Sequence, residues 1–236
     1  MPATSPHSRR LVSETLDFLR QSFGMRGAIF YWILPGLETI NESVVDLPAG
    51  LTDAYRQDMW SLDPLLASRL VRAEKCVAEL GEEARAIPPG DWLRYSDFLK
   101  GFGVTGNLDF LFWTDEGPMR RAFGGISLIG LAGDPTLPCD TGQLVAAHRY
   151  LSFTLRSHER VTRERLHTTL RMGAGLTRRE TEICALVAAG AANQDIAGQL
   201  GLTLATTKFY MKRIFDKMGV ASRTALAARL AYLQLN

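Results

Sequence analysis

The chain has few cysteines and no long apolar run. Its three cysteines, Cys76, Cys139 and Cys184, are widely spaced and follow no C-x-x-C or Cys/His ligand pattern. This argues against a disulfide framework or a metal site and favours buried structural thiols. No apolar stretch reaches the eighteen residues that cross a bilayer, and residues 1–10 lack the apolar centre of a signal peptide. We therefore expect a cytoplasmic protein with no membrane partner, metal or cofactor.

Sequence signatures of catalysis are also missing. The chain has no Gly-rich phosphate loop, no G-x-S-x-G and no H-E-x-x-H motif. Its four histidines lie in the leader or along one predicted helix, and His148 and His158, ten residues apart, cannot share a metal on one helical face. We therefore predict that the protein is not an enzyme.

Charge is distributed unevenly along the 236 residues. Residues 1–169 hold 18 Lys and Arg against 21 Asp and Glu, whereas residues 170–236 hold 9 against 4. This length permits two domains with separate cores, and glycines interrupt the chain near residue 173. We predict a first domain over residues 1–171, a linker over 172–175 and a second domain over 176–236. The basic second domain is expected to bind a polyanion.

Four short helices are predicted after the linker. The first begins at Thr177, where Glu180 completes a capping box. The second covers residues 193–200 and ends at Gly201, which tolerates the positive φ of a helix C-cap. Thr203 caps the third helix. Two helices joined by so short a turn make a helix-turn-helix.

The third helix and its surroundings are the predicted DNA contact. Its cations recur at helical spacing and are expected to bind phosphates, which supply affinity without reading sequence; a merely solvated charged face is the alternative. Threonines near the start of the helix are expected to read base edges. The predicted DNA-binding residues are Asn193, Thr206, Thr207, Lys208, Lys212 and Arg213. The apolar residues Phe209, Ile214 and Met218 are expected to face inward.

The residues of this module follow a known pattern. The matching positions are Leu176-Thr177-Arg178-Arg179-Glu180, Gly190, Asn193, Ile196-Ala197, Leu200, Thr206, Lys208, Ile214, Lys217-Met218-Gly219-Val220 and Arg223-Thr224. At these spacings residues 176 to about 232 closely resemble the LuxR-type DNA-binding domain. The resemblance implies a four-helix domain whose third helix enters the major groove of double-stranded DNA, and therefore a transcriptional regulator. Thr207 stands where the family usually has Val, so we expect an unusual operator preference.

The fourth predicted helix, residues 222–233, has a row of leucines on one face. Leu226, Leu230 and Leu233 allow two interpretations. They predict a homodimer that reads two half-sites about one helical turn apart, or they complete the core of the small domain itself.

The amino-terminal part is predicted to be a sheet between helices. The predicted helices cover residues 8–23, 51–60, 63–73, 91–102 and 139–172, and the predicted strands cover residues 27–34, 40–46, 76–80, 105–114 and 120–131. The last two strands flank a turn at residues 115–118 and form a hairpin. This α/β/α sandwich resembles the PAS- or GAF-like sensor folds that LuxR-type regulators carry. The fold class of the whole chain is therefore α+β.

Aromatic and polar residues of this part form a candidate ligand site. Tyr55, Trp60, Asp63-Pro64, Phe102-Gly103 and Gly125-Ile126-Ser127-Leu128 resemble landmarks of the acyl-homoserine-lactone receptors. The resemblance implies a small-molecule ligand, apolar with a polar head, such as an acyl-homoserine lactone in quorum sensing. Buried Tyr and Trp tips need polar partners, which suits such a ligand. The predicted ligand-binding residues are Tyr31, Tyr55, Trp60, Asp63, Trp92 and Ser127.

Alternatives to this site remain open. Asp63, with Pro64 after it, is also the expected N-cap of the helix at residues 63–73 and has no need of a ligand in that role. A protein-binding sensor without a ligand would have a solid core. A phosphorylated receiver domain is not expected, because the strand at residues 28–34 is followed by Pro35-Gly36 and not by an acidic pair.

Overall fold

The computed structural model describes residues 5–114, 120–136 and 140–235. The chain divides into two compact units, Met1–His158 and Glu159–Asn236. The helix expected over residues 139–172 is two helices, because residues 156–158 interrupt it. The second of these belongs to the carboxy-terminal unit, so the division lies before the glycine-containing stretch that suggested a linker. The predicted hairpin turn at residues 115–118 and Cys139 lie outside the described residues.

The described residues of the first unit form a five-stranded sheet and six α-helices. In chain order these are α1 (Pro6–Phe23), β1 (Gly27–Ile33), β2 (Thr39–Val45), α2 (Leu51–Ala54), α3 (Ala67–Arg72), β3 (Val77–Glu79), α4 (Leu80–Glu83), α5 (Pro89–Gly101), β4 (Val104–Trp113), β5 (Ala122–Leu131) and α6 (Thr141–Leu155). A π-helical turn, Tyr55–Met59, and a 3-10 turn, Trp60–Leu62, continue α2, and a 3-10 turn, Ala84–Ala86, follows α4.

The sheet has the order β2-β1-β5-β4-β3, and all neighbouring strands are antiparallel. Strand side chains alternate between its two faces. On one face, Phe110 stacks on Phe23 of α1 and Phe112 stacks on His148 of α6. On the other face, Tyr31 and Leu111 join a buried cluster with residues of α3 and α5. The predicted helix–sheet–helix sandwich is thus confirmed, and the second face is the one that carries the candidate site.

The second unit consists of helices. These are α7 (Glu159–Met172), α8 (Arg178–Ala188), α9 (Asn193–Leu200), α10 (Leu204–Met218) and α11 (Arg223–Leu235). The capping box of Thr177 and Glu180 is present, Gly201 ends α9 with φ 62°, and the Thr203 side chain accepts the N–H of Thr206 at 3.0 Å. These local signals are all confirmed. Among the described residues, no helix of either unit has the length and apolarity needed to span a bilayer.

Candidate functional site

A cavity of about 590 Å³ lies between the sheet and the segment from α2 to α5. Five of the six predicted ligand-site residues line it: Tyr31, Tyr55, Trp60, Asp63 and Ser127. The sixth, Trp92, is not among the lining residues and packs, partly buried, against the neighbouring hydrophobic cluster. Its place on α5 is taken by Tyr95 and Phe98, which do line the cavity. Five of the predicted residues thus share one cavity, and Trp92 lies outside its lining.

Asp63 is held at the cavity wall by its neighbours in the chain. It is 6% exposed, and its carboxylate accepts the Tyr55 hydroxyl at 2.8 Å and the Leu65 N–H at 2.8 Å. Burial raises its pKa, while hydrogen bonds from Tyr55, Leu65 and Tyr95 oppose that rise. The expected helix N-cap at Asp63 is wrong, because α3 begins only at Ala67 and Leu66 stands at its N-cap. The side chain closes a local turn and faces the cavity.

Asp109 is a second buried carboxylate in the same cavity and is not among the predicted ligand-binding residues. It lies on β4, is 2% exposed, and accepts the Tyr31 hydroxyl at 2.9 Å. Burial, above all, raises its pKa to about 7; the nearby Ser127 and Tyr31 hydroxyls lower it and the charge of Asp63 raises it further. A carboxylate inside an apolar strand that is covered on both faces is the signal that points to this residue.

Gly125 permits the contact between Tyr31 and Asp109. It pairs with Tyr31 across β1 and β5, and a Cβ at this position would overlap the Tyr31 ring. The ring therefore lies over β5, and its hydroxyl reaches β4, two strands from β1. A larger residue at position 125 would displace it.

Two acceptor atoms of the cavity wall have no hydrogen-bond partner within the described chain. They are Oδ1 of Asp109 and Oδ1 of Asn107, both buried. The two residues alternate with Leu108, so they share the cavity face of β4. Buried acceptors are normally satisfied, and those that are not call for an explanation at the site.

The mouth of the cavity has a different character from its floor. Trp60 is 51% exposed, and Arg56 and Arg72 at the rim are exposed as well. The carboxylates lie deep, while the guanidinium groups lie in solvent. Apolar walls, including Leu51 and Ile129, connect the two ends.

On the second unit, predicted DNA contacts gather around the amino-terminal half of α10. Lys208 and Lys212 are exposed one turn apart and line one shallow depression with Asn193 and Arg223. Arg223 donates to Oδ1 of Asn193 at 3.1 Å, which orders both side chains. Lys208 and Lys212 of α10, together with the first-turn residues Asn193 of α9 and Arg223 of α11, form a positively charged surface. It suits phosphate contacts.

The predicted base readers need correction. Thr207 is 0% exposed and donates its hydroxyl to the Thr203 carbonyl at 3.0 Å, so it cannot meet a base edge. Thr206 remains half-buried at the surface. Phe209, expected in the core, is 58% exposed, because Met211 and Ile214 fill the inner face of α10 instead. Ile214 and Met218 face inward as predicted, so only Phe209 of the three was placed wrongly.

Arg213 has a partner within the unit. Its Nε lies 3.4 Å from Oε1 of Glu180, and its guanidinium group lies over the Phe209 ring, 5.8 Å from the centroid. Glu180 is 0% exposed and also binds Lys217 at 2.7 Å. Part of the Arg213 side chain is therefore engaged in contacts within the domain.

The predicted dimerisation residues also need correction. Leu226 and Leu230 are 0% exposed and belong to the core cluster of the second unit, and Leu233 packs against it half-buried. These leucines complete the domain's own core, which is the alternative that the sequence left open. The reason is that α7, expected in the first domain, packs here and covers α11.

No metal centre is found within the described ranges: no group of three or more His, Cys, Asp or Glu side chains there is arranged to hold an ion.

Comparisons with known proteins agree with the resemblance of the carboxy-terminal module. Residues 174–230 match the family described as bacterial regulatory proteins, luxR family. The Monoamine regulon transcriptional regulator of Klebsiella aerogenes is 26% identical over 219 residues, 93% of this chain and 89% of the relative. The Probable transcriptional regulatory protein SgaR of Hyphomicrobium methylovorum is 40% identical over 53 residues, 22% of this chain and 25% of the relative. The crystal structure of Escherichia coli SdiA is similar with a TM-score of 0.43 at 14% identity, covering 96% and 90% of the two chains.

Proposed function

We propose that this chain, a bacterial transcriptional regulator with a luxR-family domain and not an enzyme, changes its DNA binding when a small molecule occupies the amino-terminal cavity. The observation that carries the proposal is the 590 Å³ cavity with buried, partly unsatisfied polar groups. Its size and mixed lining are typical of small-molecule sites. A sensor that binds only protein has no need of such a cavity, and this counts against that alternative.

The ligand that this cavity suits has an apolar body and a polar head. Apolar walls would hold the body, and the floor with Asp63, Asp109 and Ser127 would hold the head. An acyl-homoserine lactone, implied by the sequence resemblance, is one neutral molecule of this kind. The relative that matches most of the chain is named a monoamine regulon transcriptional regulator, and we infer that this chain also regulates transcription, here in response to a small molecule.

The proposed DNA-facing surface consists of Asn193, Thr206, Lys208, Phe209 and Lys212. Lys208 and Lys212 are exposed and supply phosphate contacts, and Phe209 offers an apolar face that a thymine methyl can contact. This replaces Thr207 as a base reader. We expect Arg213 to contribute less to DNA binding, because it already forms an ion pair with Glu180.

The DNA surface is tested with a random-sequence duplex and the full chain. We expect Lys208→Ala and Lys212→Ala each to lower the slope of log affinity against log salt by about one. Lys100→Ala, an exposed lysine of the first unit, is the matched control and leaves the slope unchanged. Unchanged slopes in both α10 variants would remove the assigned role.

Tight operator binding by so small a module requires two copies, so we propose a homodimer. With the α11 leucines buried, the contact is assigned to the outer face of α6. Val145, Tyr150 and Phe153 are 55%, 58% and 78% exposed there, and Phe18 of α1 lies beside Tyr150 with ring centroids 5.7 Å apart. Phe153→Glu is expected to yield monomers in sedimentation velocity, while Gln143→Glu on the same helix keeps the dimer. A dimer in both variants would contradict this interface.

Ligand control requires that the molecule bind more tightly to one DNA-binding state than to the other. We therefore measure affinity for a selected operator before and after adding the small-molecule fraction extracted from protein expressed in its native host. A shift that Ser127→Leu, which fills the cavity, abolishes supports the proposal. An unchanged affinity, with no molecule retained by the protein in mass spectrometry, would overturn it.

A further inference from the structure

We infer that the cavity binds a ligand with a protonated primary amine, held by Asp109 and Asn107 on β4 and by the nearby charge of Asp63. The inference rests on the proposed function, since it names the chemical class of the molecule that the cavity binds. It follows from the charges, the unsatisfied acceptors and the aromatic walls of the cavity floor.

The floor carries two carboxylates and lacks a positive charge. Among the residues that the structure describes, no lysine or arginine forms an ion pair with Asp63 or Asp109. Arg69 acts on Asp63 only weakly, and the rim arginines are exposed to solvent. A buried carboxylate is costly unless it is paired. A ligand cation is therefore the partner that the floor lacks.

The unsatisfied atoms on the floor are acceptors, so the ligand must donate. Oδ1 of Asn107 and Oδ1 of Asp109 both lack a partner, and a two-residue step along β4 separates their Cα atoms by roughly 7 Å. An ammonium group has three N–H donors and can bridge acceptors at this spacing, whereas a hydroxyl has one. Hydrogen bonding therefore favours an amine over an alcohol.

Aromatic rings surround the same region. Tyr31, Tyr55 and Tyr95 present their rings and hydroxyls to the cavity, and Phe98 adds a fully apolar face. Ring faces attract cations and also pack against apolar or aromatic ligand bodies. The walls thus suit an arylalkyl or alkyl chain that carries the amine.

The test uses 2-phenylethylamine and n-octylamine, with 2-phenylethanol and 1-octanol as neutral counterparts. Binding to the full chain is followed by tryptophan fluorescence, since the four tryptophans, Trp32, Trp60, Trp92 and Trp113, all lie in the first unit. We expect at least one amine to bind at micromolar to millimolar concentration and its alcohol to bind at least tenfold more weakly. Alcohols that bind as well as the amines would overturn the inference but leave a ligand-binding sensor intact. If neither amine binds at millimolar concentration, the inference is wrong whatever the extraction experiment yields.

Variants separate charge from shape. Asp109→Asn keeps an acceptor for Tyr31 but removes the charge, and we expect about a 10- to 100-fold loss of amine affinity with alcohol binding unchanged. Asp63→Asn is expected to lose less. Asp97→Asn, an exposed position on α5, is the control for the same chemical change. Equal amine affinity in Asp109→Asn and the control would contradict the assignment.

The pH dependence of amine affinity distinguishes a binding role of Asp109 from a purely structural role. Asp109, with Asp63, Tyr31, Tyr55 and Tyr95 facing it, ionises at a pKa of about 7 in the free protein. Amine affinity is therefore expected to rise up to tenfold per pH unit below about 7 and to level off above it. The Asp109→Asn variant should lose this dependence, and a wild-type affinity that is flat with pH would contradict the inference.

Discussion

Each unit of this protein buries a carboxylate, and the two are treated in opposite ways. In the carboxy-terminal unit Glu180 is 0% exposed, accepts the Thr177 N–H at 2.8 Å and binds Lys217 at 2.7 Å, with Arg213 at 3.4 Å. Burial alone would raise its pKa, but these hydrogen bonds outweigh burial and lower it. In the amino-terminal unit no lysine or arginine of the described residues pairs with Asp109, which has only the Tyr31 and Ser127 hydroxyls beside it, and burial raises its pKa to about 7.

The difference separates a structural role from a binding role. Glu180 is paired with two cations of its own unit, Lys217 and Arg213, and joins the start of α8 to the end of α10. Asp109 is buried beside a cavity without a cationic partner, so its ionised form is costly unless the carboxylate binds a proton or a cation enters the cavity. A buried carboxylate that the fold leaves without a cationic partner thus indicates which unit binds a ligand.

Removing the charge of Glu180 is expected to have the largest effect on stability. Glu180→Gln removes the charge that Lys217 and Arg213 share, so we expect the second unit to lose about 2–4 kcal/mol of stability. Hydrogen exchange of the α8 segment measures the loss, and Glu182→Gln, a partly exposed carboxylate bound to Arg178 and Arg179, is the control with about 0.5 kcal/mol or less.

The same carboxylate makes a prediction about pH. Because its pKa is lowered in the folded unit, its stabilisation is present above the unfolded value of about 4.3 and is lost as the pH falls below it. The second unit of Glu180→Gln should therefore show a weaker acid dependence than that of the wild type. An identical acid profile would mean that Glu180 is not the stabilising group.

A substitution that displaces Tyr31 tests the surroundings of Asp109, the buried carboxylate of the first unit. Gly125→Ala places a methyl group on the Tyr31 ring, and the resulting overpacking is expected to cost about 1–3 kcal/mol in the first unit. Adding Tyr31→Leu should restore most of that stability while leaving Asp109 without its hydroxyl donor. Tryptophan fluorescence during denaturant unfolding measures both. Unchanged stability of the single Gly125→Ala variant would show that the Tyr31 ring does not require a glycine at position 125.

The smallest effect is expected at Thr207. Because its buried hydroxyl only bonds Thr203, Thr207→Val should change stability by about 1 kcal/mol or less and should return the same site in a selection from random DNA. Phe209→Ala, at the exposed position, should return an altered site. The opposite outcome, with a new site for Thr207→Val alone, would restore Thr207 as the reader.

Local signals in the sequence predicted local structure well. The capping box at Thr177, the helix end at Gly201 and the alternating strands all depend on residues close in the chain, and the structure confirms them. Phe209 was placed on the inner face of α10 in error, because Phe209 and Met211 are both apolar and only the packing of the whole domain decides which is buried.

Features that depend on distant contacts were not predictable in this way. The α11 leucines are buried because α7 packs on them, although α7 looked like part of the first domain. Asp109 was not predicted as a site residue, because its place in an apolar strand indicates burial but does not reveal that its side chain lies beside a cavity and accepts from Tyr31, two strands away.

The most direct test of this account is the stability of the first unit against pH, compared between the wild type and Asp109→Asn. The folded pKa of about 7 lies above the unfolded value of about 3.9, so the folded form holds the extra proton between them and stability falls as the pH rises through this window. Tryptophan-monitored unfolding without ligand should show that Asp109→Asn removes a decline of up to about 4 kcal/mol and is the more stable protein at pH 8. A variant less stable than the wild type at pH 8 would mean that the fold itself satisfies Asp109, and the contrast with Glu180 would fail.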